Sequence, residues 1–280
     1  KVRLALAHCP GGCAEQDRFA VDVAQADRVA ALADHLNRQL PETAPPRFTP
    51  ILRYAAWLHE TGVSGGVDSA VCAHLVARTG RPVHALMLPA AVSSEADLQD
   101  AEAVLQSAGL TGNIISIAPL YDLAMQQLAP VLNPEPERLN VLRGNLMARL
   151  RMILLYTTAQ SHRAVVLGTD NAAEVHTGYF TKYGDGAADV LPLAALRKEQ
   201  VYEMARLLGV PQAVLNKAPS AGLWAGQTDE DEMGVRYSEL DAFLRGEAVS
   251  AQAEKQIAWW HERSRHKRML PPVPPAPDKL

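Results

Sequence analysis

The chain reads as an α/β protein with a doubly wound parallel sheet flanked by helices, and three observations point there. Short apolar runs of strand length, VHALML (83–88), IISIA (114–118) and AVVLG (164–168), punctuate the chain. Between them lie longer stretches with helical apolar spacing. Strands joined through helices run parallel, because such a crossover returns the chain to the same end of the sheet. Third, a glycine-rich loop, GVSGGVDSA (62–70), leads into one of these helices, the place where open parallel sheets hold phosphate.

Element by element, Val29, Leu32, Leu36 and Leu40 predict a helix within 14–40, and PETAPPRFTP (41–50) breaks it. We expect 1–61 to be an atypical N-terminal helical segment with a proline-rich linker, and 62–270 to be the main folded unit. The helical patterns there cover 69–79, 95–108, 120–130, 139–160 and 198–209, the last closed by Gly209 and Pro211. The tail PPVPPAPDKL (271–280) has too little to bury and is expected to be disordered. A hydrophobic strand would ordinarily deliver the chain into the glycine loop. Instead ILRYAAWL (51–58) has helical spacing and HETG follows, so the strand is either short and atypical or replaced by another arrangement.

Composition narrows the function classes. The 280 residues are 48% hydrophobic and 21% charged, with a formal net charge of −4, which argues against nucleic-acid binding through a bulk positive field. No apolar run approaches the ~18–20 residues of a bilayer span. The opening KVRLALAHCPGGCAEQ is too brief for a signal peptide, so a cytoplasmic protein is expected. His8, Cys9 and Cys13 lie close together, but no second Cys or His pair follows at ligand spacing, so they read as unpaired thiols. An odd total of three cysteines, with Cys72, suits a reducing compartment.

In the loop, Gly65 and Gly66 allow backbone angles closed to other residues, and successive N–H groups there can cradle an anion. Asp68 and Ser69 stand where the next helix begins, and Val71, Cys72, Leu75 and Val76 give that helix a buried side. A bare S-G-G would read as a glycine turn with a serine cap. The full string SGGVDS is more specific, and it lacks the lysine of the G-x-x-x-x-G-K-[ST] loop.

SGGVDS resembles the signature of the N-type ATP pyrophosphatases, which split ATP between its α and β phosphates. The segment VLGTDNAAEVHTGYFTKYGDGAADVLPL (166–193) is similar to the core of the ammonia-dependent NAD synthetases within that superfamily. MLPAAVSSEADLQDAEAV, RGNLMARLRM, KAPSAGLWAGQTDEDEMG and SRHKRMLPP match the family in the same order, so the resemblance covers 62–270. It implies an adenine nucleotide alpha hydrolase-like fold with ATP at the carboxyl ends of the strands. It further implies ATP contacts from Gly62, Val63, Ser64, Gly65, Gly66, Val67, Asp68, Ser69, Thr169, Lys198 and Ser220. Asp68 and Glu174 would bind Mg2+, while Arg149, Lys182, Asp189, His266 and Lys267 would contact deamido-NAD. Read from local sequence alone, Glu174 is a helix-start acid, Arg149 a surface charge among Arg143, Arg151 and Arg163, and Lys267 part of a basic end with Arg263, Arg265 and Arg268.

The implied chemistry joins the poorly electrophilic nicotinate carboxylate of deamido-NAD to adenylate, after which ammonia displaces AMP. Mg2+ and lysines would neutralise the charge that collects there. Asp185, between Gly184 and Gly186, is the candidate for holding ammonium and taking its proton, although an Asp-Gly turn explains it equally. The chain has no room for a nitrilase-type amidase domain, so free ammonia is the expected nitrogen source, and by resemblance the enzyme would be a homodimer. Asn145 and Arg149, four apart, would share one face of the 139–160 helix. Two rivals stand beside this reading: another pyrophosphatase-type ligase, and a nucleotide-binding homologue with impaired catalysis. Gly222, Gly226 and Gly234 would suit a mobile lid over 220–235.

Overall fold

The computed structural model describes residues 60–273 apart from residues 80, 163 and 225. The readings of His8, Cys9 and Cys13, of the 14–40 helix, of the proline-rich break and of the tail from residue 274 lie outside the described residues.

Four strands form one sheet: β1 (Glu60–Gly62), β2 (His84–Met87), β3 (Gly112–Ile114) and β4 (Val166–Leu167), in spatial order β3-β2-β1-β4. Every pairing is parallel, with Glu60 opposite His84 and Val166, and Ala85 opposite Gly112. β1 is therefore interior. The strand that was doubtful in the sequence exists, and its two hydrogen-bonded neighbours define it. A three-residue segment with partners on both sides needs no apolar run to be a strand.

Around the sheet run α1 (Val67–Ala77), α2 (Glu95–Ala108), α3 (Ala118–Leu128) and α4 (Leu139–His162). After β4 come α5 (Ala172–Thr177), α6 (Lys198–Leu208), α7 (Gln212–Leu215), α8 (Asp229–Met233), α9 (Tyr237–Leu244) and α10 (Ala251–Arg263). Alternation along β2 shows both faces covered. Ala85 and Met87 join a core with Val71, Leu75, Val104 and Val201, while Leu86 joins Ile117 and Met147 on the other side. The α/β doubly wound expectation holds. A third apolar cluster, of Met233, Tyr237, Leu240 and Ile257, gathers α8, α9 and α10 against Ala173 of α5.

Among the boundaries that differ from those read in the sequence are those of β3 and of the helix after it. β3 lies at Gly112–Ile114 rather than 114–118, because it is an edge strand with its outer face in water: Ile114 is 50% exposed. The chain stays alongside β2 for a little longer, since Ile115 N and Ile117 N donate to Met87 O and Pro89 O. The helix read at 120–130 begins at Ala118, with Pro119 in its first turn. α2 matches its expected range and starts with a capping box between Ser94 and Asp97.

Candidate active site

β1 and β4 are adjacent and parallel, so the chains leaving their carboxyl ends meet over the sheet. The first is the loop Val63–Gly66 entering α1, and the second is Gly168–Asn171 entering α5. In the first, Gly65 has φ +80°, and a Cβ there would lie 2.8 Å from Asp97 O. Only glycine fits, because an L side chain is strained in this region and the neighbouring backbone leaves no space. α1 starts at Val67 with Gly66 as its cap, so Ser69 is inside the first turn rather than at the cap. Its hydroxyl donates to Gly66 O (3.0 Å), accepts from Ser64 N (3.3 Å) and lies 3.1 Å from Ser64 Oγ, which braces the loop.

Asp68 points from the first turn of α1 toward the second loop. Its Oδ1 accepts from Asn171 Nδ2 at 3.0 Å, and its Oδ2 accepts from Lys198 Nζ at 2.6 Å. Lys198 Nζ is also 3.7 Å from Glu174 Oε1, and the lysine side chain is only 4% exposed. Burial opposes its charge, but the carboxylates of Asp68 and Glu174 outweigh that and raise its pKa. The backbone of Lys198 is held as well, since its N and that of Glu199 donate to Asp241 at 3.0 and 2.8 Å.

Glu174 is the helix-start acid that local sequence suggests, but it faces inward. Asn171 caps α5 by accepting from Ala173 N and Glu174 N, and Glu174 Oε2 accepts from Asn171 N at 3.0 Å. Burial, then the charge on Asp68, push the Glu174 carboxyl up to about 7 against the pull of Lys198. Tyr237 Oη lies 3.2 Å from Glu174 Oε1 and 3.1 Å from Asp229 Oδ2. A phenol has one hydrogen to give, so both contacts are satisfied together only when one carboxyl is protonated. Burial holds the Asp229 carboxyl above its ordinary range too. Asp170 is 5% exposed, and burial followed by the charges of Glu174, Asp185 and Asp68 raises its pKa.

A second group of residues lies beyond this carboxylate cluster. Thr181 Oγ1 donates to Asn145 Oδ1 (2.6 Å) and Arg149 Nη2 donates to Lys182 O (3.3 Å), so the shared face of α4 receives the 181–182 turn. Asp185 Oδ1 accepts from Thr181 N at 2.9 Å within that turn, whose Tyr183 has φ +63°. Asp185 is exposed, yet the protein around its carboxyl raises its pKa against the Thr181 bond. Lys182 Nζ donates to His266 O at 2.6 Å, and Lys267 Nζ donates to Gly178 O at 2.7 Å and to Phe180 O. Lys182 and Lys267, with Phe180, Tyr183 and Met269, line a cavity of about 310 Å³. Lys267 also faces the charges of Asp185 and Asp170, which links the cavity to the carboxylates.

Two residues singled out in the sequence stand apart from these groups. Asp189 accepts from Val166 N (2.7 Å) and Tyr156 OH (3.4 Å), at the start of β4 rather than its carboxyl end. Ser220 is exposed, and its hydroxyl donates to Gln227 O at 2.8 Å. Thr169 is half-buried, two residues beyond β4. Conversely, Asn171, Asp170, Asp229 and Tyr237 belong to the cluster although sequence reasoning did not select them. The first two lie inside GTDNAAE and Asp229 inside GQTDEDEMG, so neighbouring matches could have flagged them. Tyr237 carries no local signal.

Asp68 and Glu174 offer hard oxygen donors that suit a Mg2+ ion completing its shell with water and phosphate oxygens. Among the described residues no group of three or more His, Cys, Asp or Glu side chains is placed to hold a metal ion.

Residues 59–271 match the family model described as NAD synthase. An NH(3)-dependent NAD(+) synthetase from Mannheimia succiniciproducens is 75% identical over 218 residues, 78% of this chain and 87% of the relative. The structure of an NMN synthetase from Francisella tularensis aligns with a TM-score of 0.75 at 45% identity, covering 88% of this chain and 98% of that one. The crystal structure of an NAD+ synthetase from Burkholderia pseudomallei aligns with a TM-score of 0.65 at 31% identity, again covering 88% of this chain and 98% of that one. Joined to a carboxylate and lysine cluster at the carboxyl ends of β1 and β4, these likenesses show that the chain belongs to the NAD synthase family and is a ligase of the ammonia-dependent NAD synthetase type.

Proposed function

We propose how this chain's residues divide the ATP-dependent amidation of deamido-NAD between them. The observation that carries the reading is the convergence of Asp68, Glu174 and Lys198 where the β1 and β4 loops meet. The loop from Gly62 to Ser69 holds the phosphates through its N–H groups and the positive end of α1, with Thr169 and Ser220 as further ATP contacts. Lys198 lies against the departing pyrophosphate, and the positive charge that it keeps in this site serves that role. Asp68 and Glu174 hold Mg2+, which supplies charge against the same phosphates.

The acyl acceptor occupies the side of the site bordered by the 181–182 turn. Arg149, Lys182, His266 and Lys267 contact the dinucleotide there, and Asp189 does so from the far end of β4. Asp185 holds ammonium and takes its proton. Its place in the 181–182 turn, where Oδ1 accepts from Thr181 N, supports this by holding the carboxyl beside Lys182. Residues 62–270 form the catalytic domain, and the reaction runs in the cytoplasm. Among the described residues no helix is long and apolar enough to cross a membrane. A homodimer is supported by apolar surface on α3 and α4: Leu123, Val141 and Ile153 are 56%, 46% and 52% exposed.

The test is product identity. AMP and pyrophosphate in equal amounts, formed only when ATP, deamido-NAD and ammonium are all present, is the expected result. ADP and phosphate, or turnover without an acyl acceptor, would sink the reading. One observation favours a second acceptor: the Francisella relative, 45% identical, is an NMN synthetase. Nicotinate mononucleotide is therefore the competing substrate, and kcat/KM measured for each acceptor decides which of the two the site prefers.

A further inference from the structure

Asp229 is a carboxylate that stability alone does not account for. It is 5% exposed and packs with Tyr237, also 5% exposed, beside a cluster that is otherwise apolar. Burying a carboxylate near two others costs stability, and a hydrophobic pair of similar volume would avoid that cost. What the pair does provide is a continuous path. Asp229 N donates to Pro219 O at 3.2 Å and its Oδ1 accepts from Ala221 N at 3.0 Å, so it grips the loop on both sides of Ser220. Its Oδ2 meets Tyr237 Oη, and Tyr237 Oη meets Glu174 Oε1. The loop is itself a tied unit, because Gln227 receives Leu223 N at 2.9 Å and Ser220 Oγ at 2.8 Å. Glu174 Oε2 is separately fixed by Asn171 N, which leaves Oε1 between Tyr237 Oη at 3.2 Å and Lys198 Nζ at 3.7 Å, with Tyr237 the nearer restraint.

We propose that Tyr237 and Asp229 are positioning residues that couple the loop 219–229 to the orientation of Glu174. The proposal rests on the reading of Glu174 as a Mg2+ ligand and Ser220 as an ATP contact. When the loop is seated on ATP, Asp229 and Tyr237 hold Glu174 Oε1 toward the metal. When the loop lifts, that restraint goes and the metal is held less tightly. Tyr237→Phe tests this while keeping the ring that packs in the core and lies 4.6 Å from Lys198 Nζ.

Two readings on the full chain decide it, neither of them turnover. The first is Mn2+ affinity in the presence of a non-hydrolysable ATP analogue, followed by electron paramagnetic resonance. The second is hydrogen exchange across 219–229 with and without Mn2+. In Tyr237→Phe the Mn2+ affinity should fall about 10-fold. The analogue's affinity without metal should stay as in the parent, and Mn2+ should no longer protect the loop. Unchanged Mn2+ affinity with loop protection retained overturns the proposal, and so does an equal loss of analogue binding without metal. If Tyr237→Phe fails to fold, Asp229→Asn is read by the same two measurements with the same outcomes. Parent protein whose Mn2+ binding survives Glu174→Gln overturns the metal assignment and this proposal together. Binding that Glu174→Gln removes but Tyr237→Phe spares overturns only the coupling.

Discussion

Lys198 Nζ and Asp68 Oδ2 are 2.6 Å apart although 130 residues separate them, and their side chains are 4% and 17% exposed. The pair joins the first turn of α6 to the first turn of α1 across the carboxyl ends of the strands. It places a cation from α6 beside a glycine loop that has no lysine of its own.

Lys198→Met should therefore be costly. It leaves Asp68 and Glu174 facing each other with no compensating charge, and breaking a buried pair from one side costs about 3–5 kcal/mol. Urea unfolding with a chelator present should show a loss of that size, and added Mg2+ should restore part of it. Unchanged stability would mean that the pair is immaterial to the fold.

Glu174→Gln should act in the opposite direction at alkaline pH. A carboxyl raised from 4.5 to about 7 binds more protons folded than unfolded between those values, so its contribution to stability falls as pH rises through that window. Above it the full penalty remains. With cations chelated, the glutamine variant should melt higher than the parent at pH 8, and the difference should close below pH 4.5. The amide can still accept from Asn171 N, so the cap of α5 survives. A gap independent of pH would contradict the assignment.

Gly65→Ala combines strain at φ +80° with a Cβ placed 2.8 Å from Asp97 O. The left-handed conformation alone costs roughly 1–2 kcal/mol. Because the clash is with backbone, the loop must move away from α2. Affinity for an ATP analogue, measured by calorimetry, should drop far more than overall stability. An affinity equal to the parent's would show that this loop is not where the phosphates sit.

Ile153→Glu places a charge on an α4 side chain that is 52% exposed and apolar. If this face is the dimer interface, sedimentation should show a monomer with an unchanged melting point. A dimer that persists would move the interface elsewhere.

Much of the site was legible because its residues are consecutive. The stretch from Gly62 to Ser69 and the stretch GTDNAAE each lie within one loop and the following turn, where local backbone geometry does the work. β1 was hard to see because its identity comes from β2 and β4 on either side rather than from its own side chains. Tyr237 was invisible for a similar reason. Nothing around it differs from an ordinary apolar helix start, and its hydroxyl finds Glu174 only once α9 packs on α5. Asp189 shows the converse, since proximity in sequence to the GYFTKYGDG segment did not put it beside the carboxylates.

By itself the amino-acid order determined the alternating pattern, the phosphate loop and the family likeness, all properties of contiguous residues. The tertiary structure decided which cation meets which carboxylate: Lys198 against Asp68, Asn171 against both acids, and Tyr237 between Glu174 and Asp229. The physical reason is burial. A carboxylate or an ammonium taken out of water needs a partner within a few ångströms, and only the packed chain brings residues so distant in sequence that close.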